Sequence, residues 1–153
     1  MDFDYKSLIA TDLKTHTAQI VGYNKETPLT YYIHQKNGWE QLNRQINHIQ
    51  NEISLYTTSH TKEEQDFIRN IFKRLDLLID IDFEEMSHYN GSSLDIYLAN
   101  YASNFASNTI GMAIKQKTTS GNWWDVIWKD ITARNNFDNL EKNTIIHEIG
   151  HAL

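Results

Sequence analysis

The chain contains no cysteine. A disulfide scaffold, a thiol nucleophile and a cysteine-ligated zinc are therefore excluded, and the redox compartment is left open. No apolar run approaches the ~18 residues that a membrane-spanning helix needs. Basic side chains are the minority: 14 Lys and Arg against 20 Asp and Glu, a net charge of −6 and a pI near 5.6. That balance argues against nucleic acid as the main partner, because phosphate binding needs a basic face. The opening residues, Met1-Asp2-Phe3-Asp4-Tyr5, carry neither a basic patch nor an apolar stretch, and predict no cleavable signal peptide. What is present suffices for one domain. The chain has 153 residues, of which 40% are hydrophobic, enough for a single core and too few for two.

Residues 1–27 are polar and mixed, and read as a lead-in arm whose Leu8-Ile9 and Ala18 to Val21 can dock on a core. The only proline, Pro28, opens Leu29-Thr30-Tyr31-Tyr32-Ile33, a β-branched and aromatic run that predicts a strand. Across residues 39–56, Trp39, Leu42, Ile46, Ile49, Ile53 and Tyr56 recur at alternating three- and four-residue steps. That stripe predicts a one-sided helix, most simply packed on the core. Ser59 to Glu64 supplies a capping-type start for a second helix, whose face is filled by Phe67, Ile68, Ile71, Phe72, Leu75, Leu78 and Ile79. Four strands are then predicted at Ile81 to Met86, Leu94 to Ala99, Ile110 to Ile114 and Trp124 to Trp128. His88 to Gly91 marks a turn between the first two, a polar stretch from Ser103 to Asn108 precedes the third, and Thr118 to Asn122 is a loop. From Asp138 the pattern is helical to the end. Strands on either side of a long helix imply a crossover and partly parallel pairing, hence a mixed α and β class.

The chemistry is concentrated in the last seven residues, His147-Glu148-Ile149-Gly150-His151-Ala152-Leu153, which contain His-Glu-x-x-His. In a chain with 7 histidines that spacing arises by chance in only about 2% of cases. On a helix, positions four apart share a face one turn apart, about 6 Å along the axis. Two imidazoles so placed can converge on one zinc at about 2.0–2.1 Å. Glu148, next to the first ligand, can then take a proton from the zinc-bound water, whose pKa the metal lowers to about 7. Ile145, Ile146, Ile149 and Leu153 are expected on an apolar face, and Thr144, His147, Glu148 and His151 on the other. Gly150 is unfavourable in a helix by about 1 kcal/mol, which close packing or a nearby chain crossing would explain. His16, His34, His48, His60 and His88 have no spacing that marks them as ligands. The pairs Glu63-Glu64 and Glu84-Glu85 read as helix-start and strand-face charge.

The segment Thr144 to Leu153 resembles the zinc-binding helix of metzincin metallopeptidases, most closely the serralysin and matrixin branch. Residues 28–153 resemble the upper part of such a catalytic domain, strand by strand and in order. Leu94-Asp95-Ile96 and the Asp-Val strand Trp124 to Trp128 are included, with Ile110 to Ile114 in the place of the edge strand above the cleft. The resemblance implies an α+β, zincin-like fold: a five-stranded mixed twisted sheet, a long helix and a C-terminal zinc-binding helix. It further implies His147 and His151 as zinc ligands and Glu148 as general base. Backbone contacts from Gly111, Met112, Ala113 and Ile114 would hold an extended peptide. The metzincin motif continues with Gly-x-x-His and a Met-containing turn, neither of which is in this sequence. The expectation is therefore the N-terminal portion of a zinc endopeptidase lacking its lower subdomain, with weak zinc occupancy and little activity as this chain. The alternative is a non-catalytic peptidase-like module that binds a peptide or a second copy of itself. The expected partners are a peptide or protein substrate, with neither nucleic acid nor membrane, and the family implies an extracellular location.

Overall fold

The computed structural model describes residues 11–21, 27–46, 49–100, 108–119, 121–133 and 135–153. Among these, seven strands form one mixed sheet that packs with three helices, an α+β arrangement. The elements are α1 (Thr11–Val21), β1 (Leu29–Ile33), β2 (Gly38–Ile46), β3 (Ile49–Thr58), α2 (Lys62–Asp76), β4 (Phe83–Glu85), β5 (Leu94–Ala99), β6 (Gly111–Thr118), β7 (Gly121–Lys129) and α3 (Asn139–Ala152). Leu8-Ile9, His48, residues 103–107 and Ser120 lie outside the described residues. No helix among the described residues is long and apolar enough to cross a membrane.

The centre of the sheet is β5, buried along its whole length. It pairs in parallel with β1 and β7, and β1 pairs in parallel with β4. The outer strand β6 runs antiparallel to β7. A strand buried on both faces reads as a continuous apolar run, and Leu94 to Ala99 nearly does. On one face Leu94, Ile96, Leu98, Trp124, Val126 and Trp128 meet Ile68 and Phe72 of α2 and Ile145 and Ile149 of α3. On the other face Tyr97, Ala99, Ile114 and Ile127 meet Leu42 and Leu55. Two layers thus cover the sheet, helices below and β2–β3 above.

Residues 39–56 are not a helix. They form the β2–β3 hairpin, which raises the expected five strands to seven. The reason lies in the register. Trp39 faces Tyr56, Leu42 faces Ile53 and Ile46 faces Ile49, so each spacing on one strand is mirrored on the other. Antiparallel pairing of the two strands converts that mirror symmetry into cross-strand pairs, and the same symmetry imitates a helical period. The two aromatic rings meet edge to face at 5.4 Å on the outer surface, where Trp39 is 61% exposed, while Leu42 and Leu55 point into the core. β3 ends by pairing with Leu98 and Ala99 of β5, continuing the sheet where β1 leaves it.

Helix α2 starts as expected, at a capping box. Thr61 accepts a hydrogen bond from the Glu64 amide, and the Glu64 carboxylate accepts one from the Thr61 amide at 2.6 Å. It ends at Asp76, so Leu78, expected on its apolar face, is instead exposed. Strand β7 begins at Gly121 and β6 runs to Thr118, so most of the expected loop at 118–122 is paired strand. Within the expected N-terminal arm, α1 docks against β7 and the end of α3. The Thr17 hydroxyl donates to the Ala152 carbonyl at 3.1 Å and accepts from Trp124 Nε1 at 3.2 Å. One of the carbonyls that a helix end leaves without an internal partner is thereby satisfied.

Candidate functional site

Helix α3 is held at three points. At its start, Asp138 accepts from the Glu141 amide at 2.9 Å, and the buried Glu141 accepts from the Ile131 amide at 3.0 Å. Along its length Ile145, Ile149 and Ala152 enter the core. At its end Thr17 reaches the Ala152 carbonyl. With that face fixed, the helical period places His147 and His151 in solvent and Glu148 between the helix and the sheet. Ile146, expected on the apolar face, is instead 50% exposed. At 100° per residue it stands about 100° from Ile145 and about 60° from Ile149, at the border of the buried stripe.

The two histidine rings meet. His147 Nε2 and His151 Nε2 are 2.9 Å apart, with ring planes at 87°. Two nitrogens bound to one zinc at about 2.05 Å in tetrahedral geometry are about 3.3 Å apart. The observed separation is about 0.4 Å short of this, within the reach of small side-chain rotations. The donor set therefore fits a divalent metal of zinc's type on its first two ligands. Burial, and then the charge of His147, lower the pKa of His151, favouring the neutral ring. Among the described residues no cluster of three or more His, Asp or Glu side chains is arranged to hold a metal ion. His16 is engaged with the Trp123 carbonyl, and His60 bonds the His34 carbonyl and Trp128. His34 lies across the sheet, and His88 is beside Ser87.

Glu148 is only 8% exposed, and burial pushes its carboxyl above the usual range against an opposing pull from His147. Its neighbour is the start of β6. A Cβ at Gly111 would lie 2.5 Å from Thr144 Cγ2 and 2.6 Å from Glu148 Oε1. Only a residue without a side chain lets the edge strand come this close to the helix. A groove of about 490 Å³ runs between the two elements, lined by Asn108 to Gly111 on one side and Asn143, Thr144, His147 and Glu148 on the other. Of the expected substrate shelf, Gly111 faces this groove. Ala113 packs towards the helices, while Met112 and Ile114 turn to the hairpin side. Among the described residues β6 pairs with β7 alone, which makes it an edge strand of the sheet. Gly150 has open space around it, so close packing does not account for it.

Neither a family model nor a curated protein nor a solved structure matches this chain.

Two features escaped the sequence reading. The closeness of Gly111 to Glu148 joins residues 37 positions apart and leaves no local signature. The other is a polar cluster on the far face of the sheet, around Asp95 and Asp125. The signal for it was a single aspartate in the middle of each of two apolar strands.

Proposed function

We propose that this chain carries the metal-binding helix and substrate shelf of a zinc metalloendopeptidase of the metzincin type, on a zincin-like sheet. The observation that carries the reading is the meeting of His147 and His151 through their Nε2 atoms, 2.9 Å apart on the exposed face of α3. The sheet supports it. Leaving aside the hairpin, the strands run β4-β1-β5-β7-β6 and only the edge strand beside α3 is antiparallel. A mixed sheet with an antiparallel edge strand beside the histidine-bearing helix is what the resemblance would call for.

In this reading His147 and His151 would hold the metal, and zinc, when bound, would supply Lewis acidity and an acidified water. Glu148, which lines the same groove as His147, would accept a proton from such a water. The edge of β6 orients an extended peptide by backbone hydrogen bonds. A catalytic zinc takes three protein ligands, and two histidines alone hold it weakly. The 153-residue chain by itself is expected to bind zinc weakly and to cleave peptides slowly or not at all.

The test is a cobalt(II) or zinc titration of the purified chain. One metal per chain is expected, lost in His147→Ala and in His151→Ala and retained in Glu148→Gln. Metal binding that persists without both histidines overturns the assignment. Strong zinc-dependent cleavage of a denatured protein, abolished in Glu148→Gln, overturns the expected low activity and places a further ligand in this chain.

A second reading is a non-catalytic module that binds peptide or self-associates. It is favoured by Leu140 and Ile146, both exposed on α3, and by the edge position of β6 in the sheet. Sedimentation showing a monomer that binds no peptide removes it.

A further inference from the structure

Two of the six glycines follow an asparagine, at Asn37-Gly38 and Asn90-Gly91. Asparagine is one of the thermolabile residues. Its side-chain carbonyl carbon lies within reach of the next residue's amide nitrogen, and ring closure there expels the side-chain nitrogen. Glycine leaves the attacking nitrogen unshielded, because it has no Cβ, and lets the backbone turn freely. Both asparagines are exposed, so access to water does not separate them. Their hydrogen bonds do.

Asn37 precedes β2 and is clamped. Its Oδ1 accepts from the Ser59 amide at 2.7 Å. The carbonyls on either side of it, those of Lys36 and Gly38, share the hydroxyl hydrogen of the buried Thr57 at 3.0 Å and 3.1 Å. Gly38 is also in register opposite Thr57 in the hairpin. To bring the Gly38 nitrogen onto its own Cγ, Asn37 must leave the Ser59 amide and turn within a backbone held on both sides. Asn90 stands instead at the tip of the turn between β4 and β5. That turn is closed by the Ser92 amide, which donates to the Tyr89 carbonyl at 3.3 Å, just beyond the usual range for such a bond. Among the described residues neither the Asn90 side chain nor the Gly91 amide makes a hydrogen bond. A Cβ placed on Gly91 would meet nothing within 4 Å, and its φ of +93° is one that glycine adopts without strain. Both reacting groups are therefore uncommitted and uncrowded. Only the base of the turn is fixed, where the Ser92 hydroxyl bonds the Asp95 carboxylate.

We propose that Asn90 is a site of spontaneous deamidation and isomerisation in the folded protein, and that the fold protects Asn37 from the same reaction. The Gly91 amide nitrogen attacks Asn90 Cγ. The N–Cγ bond forms, the Cγ–Nδ2 bond breaks, and the side-chain nitrogen leaves as ammonia, taking up the proton that the Gly91 nitrogen gives up. The product is a cyclic succinimide. Water, the only co-reactant, then opens it at one of its two carbonyl–nitrogen bonds. Opening at the former side-chain carbonyl gives aspartate, and opening at the former backbone carbonyl gives isoaspartate. Either product adds one carboxylate to a chain whose net charge is −6. Isoaspartate also lengthens the backbone by one carbon in the turn that leads into the central strand β5, two residues before the hydroxyl that bonds Asp95. The inference does not rest on the metalloendopeptidase reading.

The test is incubation of the full chain at mildly alkaline pH, folded or in concentrated urea, with digested peptides followed by mass spectrometry over days. In the folded chain the peptide bearing Asn90 should gain about 1 Da and separate into two products of equal mass, aspartate and isoaspartate. It should do so about tenfold faster than the peptide bearing Asn37, which must first give up its hydrogen bonds. In urea the two rates should converge, since both sites are Asn-Gly and the clamp on Asn37 is gone. The ratio is read within one molecule, so it requires no variant to fold. Asn90→Gln, whose longer side chain closes a ring far less readily, should remove the earliest acidic species seen on ion exchange. Equal rates at the two sites in the folded chain overturn the proposal. So does an Asn90 peptide that converts in urea but keeps its mass in the folded chain, or an earliest acidic species that persists in Asn90→Gln.

Discussion

Replacing Gly111 with alanine should distinguish crowding at the groove from ordinary glycine effects. The added Cβ would meet Thr144 Cγ2 at 2.5 Å, Glu148 Oε1 at 2.6 Å and Glu148 Cγ at 2.7 Å. The carboxylate oxygen ends a flexible side chain and can swing away. The threonine methyl and the Glu148 Cγ are close to the backbone of a helix whose other side is locked in the core. Relief therefore requires α3 and β6 to separate by several tenths of an ångström. Overpacking of this kind costs about 1–3 kcal/mol. For a chain of this size the melting temperature should fall by about 2–12 °C. Gly150→Ala is the matched control. Its Cβ would enter open space within the helix, so the same chemical change should stabilise by about 0.5–1 kcal/mol. In the double variant Gly111→Ala/Thr144→Ser, loss of the methyl should return part of the stability. The assay is thermal unfolding followed by circular dichroism. A Gly111→Ala protein that melts with the wild type would refute the close approach of the edge strand to Glu148, and with it the geometry of the groove.

The folded chain holds the protons of Asp95 and Asp125 more tightly than the unfolded chain, whose aspartates titrate near 3.9. Stability should therefore fall as pH rises from about 4 to about 7, and Asp95→Asn should flatten that slope in denaturant titrations. An unchanged slope in the variant would show that Asp95 ionises normally. Thr61→Ala removes the acceptor for the Glu64 amide at the start of α2 and should cost about 0.5–2 kcal/mol in urea unfolding. A change below the measurement error there would mean that the capping box contributes nothing to the fold.

Much of this protein is legible in local sequence because it is decided locally. Helix α2 is marked by its capping box and by an apolar period matching Ile68 and Phe72 in the core. Strands β1, β5 and β7 are marked by β-branched and aromatic runs, and α3 by Asp138 at its start. The convergence of His147 and His151 is likewise local, since a four-residue step on a helix brings the two rings together wherever the helix goes.

Tertiary structure decided what local pattern left ambiguous. Residues 39–56 carry a period that a helix and a mirrored hairpin both satisfy, and the open edge of β5 at Leu98 and Ala99 selects the hairpin by pairing with Thr57 and Thr58. Which side of α3 enters the core was likewise settled by packing, which buried Glu148 against Gly111 and turned Ile146 outward. Asp95 and Asp125 became neighbours only because two strands 30 residues apart align in parallel register. Contacts between distant segments depend on how the layers pack, and periodicity within a single segment carries no information about that.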